Sequence, residues 1–326
     1  MEAATTTPDL QADRAVTGGP PEKKGLGPLA KLGIALGIYF GLMVLLVVVF
    51  GASGTENEEF KPQNEFKLEP WISLEIGPID MSINKAVLYL ALAATATCFA
   101  MTYVANRMAT KPNRVQTAVE AAYDLTSGTM VRENIEDRRL AGRWFAFIAT
   151  VFFFIWFSNI IGFIPLPVNS EETVDVFGLA LPSFALYAAT ANLSIPLVLT
   201  LIVWFSYHVE GVRKKGVVGY LKSWVPEEIT GFMVVPIFMI EALSHFVRLI
   251  SLSARLFANM LAGHLLILIM GGGMAVLLGL AYIGVVTLPI AVAFYIFEIG
   301  LIASLQAFIF AILSAIYIGG ATAESH

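Results

Sequence analysis

Two apolar segments, residues 229–271 and 274–318, constrain this chain more than any other feature. Each is about twice the ~20 residues that a helix rising 1.5 Å per residue needs to cross ~30 Å of hydrocarbon. They predict long helices, strongly tilted or bent, joined as a hairpin with its turn at Gly271-Gly272-Gly273. Further apolar runs at 30–52, 84–106, 144–166 and 182–207 predict four more spans. Their continuity argues for helices, because barrel strands would alternate in short segments. Only 14% of residues are charged, against ~25% in an ordinary soluble domain. The expected fold class is an all-α polytopic membrane protein with about six membrane helices.

Charge sets the topology. Residues 1–27 lack apolar periodicity and read as a disordered tail. Residues 28–52 form an extra N-terminal membrane helix; Phe50-Gly51-Ala52-Ser53 is a poor cleavage site, which favours an uncleaved anchor over a signal sequence. Residues 53–83 set seven acids against Lys61 and Lys67 and read as an external loop. Residues 84–228 carry spans two to four, and Pro196 predicts a kink in the fourth. Within this region 115–140 mixes Val119, Leu125, Met130 and Val131 with charges, predicting an amphipathic helix along the inner surface. There Arg132, Arg138, Arg139 and Arg143 would meet anionic head groups. Of the 20 Lys and Arg, Lys61 and Lys67 fall outside, and Lys85, Arg248 and Arg255 lie within or at the edge of spans. The rest fall inside, which puts both termini in the cytoplasm. The lone Cys98 forms no intrachain disulfide, and the four histidines show no metal-ligand spacing. No phosphate-binding glycine loop occurs, so no cofactor, metal, nucleic acid or direct nucleotide binding is expected.

Region 229–320 carries the chemistry. Arg255 sits far inside an apolar run, where a charge costs about 2.5–3.5 kcal/mol on insertion scales. At ~100° per residue Glu241, His245, Arg248, Arg255 and Asn259 form one polar stripe, flanked by Ala254, Ala258 and Ala262. Glu241 and Arg248 can neutralise one another through His245 or face a partner. No carboxylate lies within one turn of Arg255. His264 projects from the opposite side and suits either packing or proton transfer. Glu298 is the lone acid of the last segment, with Gln306 eight residues on. Counting from the glycine turn places Glu298 near Arg248 in depth, away from direct pairing with His264.

Ser251-Leu252-Ser253-Ala254-Arg255-Leu256-Phe257-Ala258-Asn259-Met260-Leu261-Ala262-Gly263-His264 resembles the signature helix of subunit a of F-type ATP synthases. PNRVQTAVEAAYDLT, WFSNIIGFIP and LQAFIFAILSAIYIG resemble further segments of that family in the same order, and the likeness covers roughly residues 60–320. The resemblance implies a non-catalytic, proton-translocating stator subunit with two aqueous half-channels, in a bacterial plasma membrane. It implies a c-subunit ring, b-type peripheral stalk subunits, the rest of the synthase and membrane lipid as partners. It gives Arg255 the role of the essential charge facing a c-ring carboxylate, with Asn259, His264, Glu298 and Gln306 along the proton path. The histidine stands on helix five and the acid on helix six, and the eight-residue spacing from Glu298 to Gln306 is one longer than the family pattern. A self-contained secondary transporter, a sodium-coupled version of the subunit and a structural scaffold are the competing readings.

Overall fold

The computed structural model describes residues 66–76, 79–80, 82–107, 114–167, 173–176, 179–182, 184–226, 228–273 and 281–323. The chain divides into two units, Met1–Gly51 and Ala52–His326. In the first, Gly37, Ile38 and Gly41 are also described, all helical, and the tail and the rest of the extra N-terminal helix fall outside the described residues.

The second unit is a helical bundle. Its long elements are α1 (Lys85–Arg107), α2 (Arg114–Asp124), α3 (Arg138–Gly162), α4 (Ser194–Lys215), α5 (Val217–Lys222), α6 (Val234–Leu268), α7 (Ala281–Phe297) and α8 (Ala303–Thr322). Three π segments extend or join them: Leu125–Arg132 after α2, Ile269–Gly273 after α6, and Glu298–Ile302 between α7 and α8. Among the described residues extended structure is confined to short antiparallel pairs, such as Glu75–Ile76 with Ile79–Asp80 and Thr173–Val176 with Leu179–Pro182. Five stretches among the described residues are long and apolar enough to cross a membrane, the last two being Gly231–Gly273 and Val286–Thr322. At 1.5 Å per residue the 43 residues of the former reach ~65 Å, so it cannot stand upright in ~30 Å of hydrocarbon. The expected six-helix bundle thus has five of its spans among the described residues.

Several expected boundaries move, each for a local reason. The third span starts at Arg138 rather than 144, because the Asp137 carboxylate accepts from the Arg139 and Leu140 amides at 2.8 and 3.4 Å and caps the helix there. These bonds hold its carboxyl below the ordinary aspartate range. A depressed carboxyl contributes its stability above the unfolded value and loses it as pH falls through the folded one. Amide exchange at Arg139 and Leu140 is therefore expected to accelerate in Asp137→Ala at neutral pH, and in the parent protein only below the usual carboxylate range.

The predicted surface helix at 115–140 is instead α2 plus its π continuation, a break at 133–137, and the start of α3. It does not simply lie on a surface, since Thr126, Ser127, Met130 and Val131 are buried against α3 and α8. Arg143 also has a partner within the protein: its Nη2 meets the buried Glu210 Oε1 at 2.5 Å while its side chain stays largely exposed. The fourth span begins at Ser194, not 182, where Asn192 Oδ1 accepts from the Ser194 amide at 3.0 Å. Pro196 therefore falls in the first turn, where a missing N–H costs nothing, and starts the helix rather than kinking it. Gly216, at φ 75°, turns the chain from α4 into α5.

The core lies between α3, α4, α6 and α8, with Ile148, Ile155, Leu256, Met260, Phe310 and Ile318 almost fully buried. By contrast α6 presents an exposed apolar side that includes Met239, Leu243, Phe246 and Ile250.

Candidate functional site

The polar stripe on α6 splits along its length. At the end nearer α4 and α5, other elements cover it. Arg248 Nη2 contacts Glu241 Oε1 at 3.1 Å, and His245 Nε2 lies 3.8 Å from the same oxygen. His245 Nδ1 is 3.0 Å from the Tyr207 hydroxyl, and Trp204 Nε1 donates to the His245 carbonyl at 3.2 Å. Arg248 also sits over the Tyr317 ring at 5.6 Å. Glu241 and Arg248 pair directly, with His245 beside the pair rather than between its members, and both side chains keep about a third of their surface exposed.

A cavity of about 390 Å³ opens onto this group, and its walls include Tyr207, Tyr220, Glu241, His245, Arg248 and Tyr317. His208 adds a second imidazole, with Nδ1 2.8 Å from the Tyr220 hydroxyl and its ring 4.8 Å from that of His245. Burial raises the Tyr220 hydroxyl above the ordinary phenol range, so it stays protonated at neutral pH. Tyr207, His208, Tyr220 and Trp224, whose ring lies 4.5 Å from that of His245, do not stand out in the sequence. Only the Gly216 turn, which folds α5 back beside α4, could have hinted that His208 and Tyr220 meet.

Further along α6 the cover ends. Arg255 and Asn259 are exposed, as are Ser251, Ala258 and Ala262. Among the described residues Arg255 makes no hydrogen bond or ion pair. A guanidinium in a membrane-length helix, without a partner among the described residues and beside small residues, presents a charge on a surface that another helix can approach closely.

On the packed side His264 is 1% exposed. Its Nδ1 lies 2.9 Å from the Met260 carbonyl oxygen and its Nε2 3.1 Å from that of Gly162, with the ring stacked on Phe163. A neutral imidazole has one N–H and donates to one of these acceptors, whereas an imidazolium donates to both. His264 thus ties α6 to the end of α3.

Glu298 is buried, and its carboxyl lies against Gly263: a Cβ on that glycine would be 2.6 Å from Glu298 Cδ. Glu298 Oε2 has no hydrogen-bond partner among the described residues. The expected depth is corrected by this contact. Glu298 lies opposite Gly263, not near Arg248: the sequence midpoint of that contact falls near residue 280, past Gly271–Gly273, so counting outward from the glycines misplaces it. No ion pair joins Glu298 to the neighbouring His264 among the described residues.

Tyr295 donates to the Phe163 carbonyl at 2.6 Å, Asn159 Nδ2 to the Ala303 carbonyl at 3.3 Å, and Trp156 Nε1 to Ser304 Oγ at 3.0 Å. These bonds fasten the Glu298 region to α3, and Gln306 is buried on the helix just beyond. Among the described residues, no group of three His, Cys, Asp or Glu is placed to hold a metal ion.

Residues 87–319 match the family model described as ATP synthase A chain. ATP synthase subunit a of Rubrobacter xylanophilus is 35% identical over 261 residues, covering 77% of this chain and 88% of that protein. The subunit a proteins of Bradyrhizobium diazoefficiens and Paramagnetospirillum magneticum are 32% and 30% identical, covering 81% and 79% of this chain and 98% and 96% of their own. With the membrane-length helices, the exposed arginine on α6 and the buried acid on the last hairpin already placed, these matches show that the chain belongs to the ATP synthase A chain family.

Proposed function

We propose that this chain is the proton-translocating stator subunit of an F-type ATP synthase, without catalytic activity of its own. It would sit in a bacterial plasma membrane with both termini cytoplasmic, against a ring of c subunits and held by b-type stalk subunits. The observation that carries this reading is the exposed Arg255, unpartnered among the described residues and set beside Ala258 and Ala262. A fixed positive charge favours the ionised form of a carboxylate passing in front of it. A rotor carboxylate must then release its proton on one side of Arg255 and take one up on the other.

Two groups of polar residues lie on either side of Arg255 along α6. One is the Glu241, His245 and Arg248 cluster with its cavity. The other is the Glu298 region with Gln306 and His264. They would border the two half-channels, with Asn259 beside the arginine. Proton flow down a membrane potential supplies about 2.3 kcal/mol per charge per 100 mV, which drives rotation.

The test separates this from a self-contained transporter. The chain alone in liposomes is expected to give no ion-driven uptake, and the assembled complex to pump protons upon ATP addition. Transport by the chain alone would overturn the stator reading, and pumping that requires sodium would replace the proton as the coupled ion.

A further inference from the structure

We propose that the π turn at Glu298–Ile302 is a register device: it takes up one surplus residue, so that the segment bearing Tyr295 and Glu298 and the segment bearing Ser304 and Gln306 face the same neighbours. The proposal deepens, and rests on, the reading of Glu298 as a proton-carrying group.

Buried positions along the last hairpin arm are spaced by whole helical turns, at Thr287, Ala291 and Glu298 before the turn (steps of four and seven, with half-buried Tyr295 between) and at Ala303, Ala307 and Phe310 after it (steps of four and three). The five-residue step from Glu298 to Ala303 is the exception. At ~100° per residue, five α-helical residues would leave Ala303 about 140° from the direction of Glu298. The backbone removes that offset, because the Ala303 amide donates to the Glu298 carbonyl, an i→i+5 bond.

The consequence is visible on α3. Tyr295, before the turn, bonds to Phe163, while Ala303 and Ser304, after it, bond to Asn159 and Trp156. One helix face could not serve α3 on both sides of a five-residue step without the turn. The removable residue is Gly300, which is exposed and touches nothing that a side chain would meet within 4 Å. Its loss would leave no cavity and would convert the π turn to an α turn.

The test uses the intact synthase in inverted vesicles. Deleting Gly300 is expected to leave ATP-driven pumping within about twofold of the parent, whereas deleting Ile309, in the regular part of α8, should cost about tenfold or more by rotating everything beyond it. A cryo-EM map of the Gly300-deleted complex should keep both the Tyr295–Phe163 and Trp156–Ser304 contacts. Loss of either contact overturns the proposal, as does equal tolerance of both deletions. Loss of pumping with both contacts kept also overturns it, because the π geometry itself would then be required. Failure of the functional reading looks different: Glu298→Gln would pump normally while the two contacts in the deletion variant still decide the register.

Discussion

Glu298→Gln is expected to lower proton pumping by on the order of 10²-fold while leaving the complex assembled, the size of effect that follows loss of a positioned proton-transfer group. Glutamine keeps the shape of the side chain, so its packing against Gly263 persists. What it removes is an oxygen able to take up and release a proton. Glu298 suits that role by position: it is buried, lies beside α6 in the stretch beyond Arg255, and Oε2 has no hydrogen-bond partner among the described residues. A carboxyl already committed to a salt bridge would exchange protons poorly, and Glu298 is in none among the described residues. The measurement is ATP-driven acidification of inverted vesicles, with subunit content checked on the same preparation. Unchanged flux across pH would remove Glu298 from the path.

Of the two roles open to the neighbouring His264, packing and proton transfer, its surroundings favour packing. Both ring nitrogens face backbone carbonyls and the ring stacks on Phe163. In this arrangement His264 holds α6 against the end of α3, and so fixes Gly263 opposite Glu298. Its part in the proton path is therefore proposed to be positional.

Much of the site was legible because membrane helices make polar residues conspicuous. Arg255 in an apolar run needed no structure to be noticed, nor did Glu298 as the lone acid of its segment. The long spans were legible for the same reason. The missed boundaries at Arg138 and Ser194 are set by the side chains of Asp137 and Asn192, which hydropathy does not weigh. Covering of the stripe on α6 depends on which helices pack beside each turn, so five residues on one helical face could not reveal that His245 is buried and Arg255 exposed. The depth of Glu298 is hidden because Gly271–Gly273 marks a break in the apolar run without being the sequence midpoint of the Gly263–Glu298 contact. The odd spacing to Gln306 was visible in the sequence, but the i→i+5 bond that absorbs it was not.

Arg255 carries the central claim. If its partner is a carboxylate on a moving rotor, the charge must stand exposed and unpaired within its own chain, and the described structure places it so. Removing it leaves the passing carboxylate without the field that favours ionisation, so rotation and proton transfer should uncouple. A scaffold role would instead need only the apolar faces, which Arg255→Ala does not alter. The direct measurement is ATP-driven proton pumping by Arg255→Ala complexes in reconstituted vesicles, with assembly verified and with and without added sodium. The account predicts pumping at background level in an assembled complex. Pumping at the parent rate by an assembled Arg255→Ala complex would contradict it.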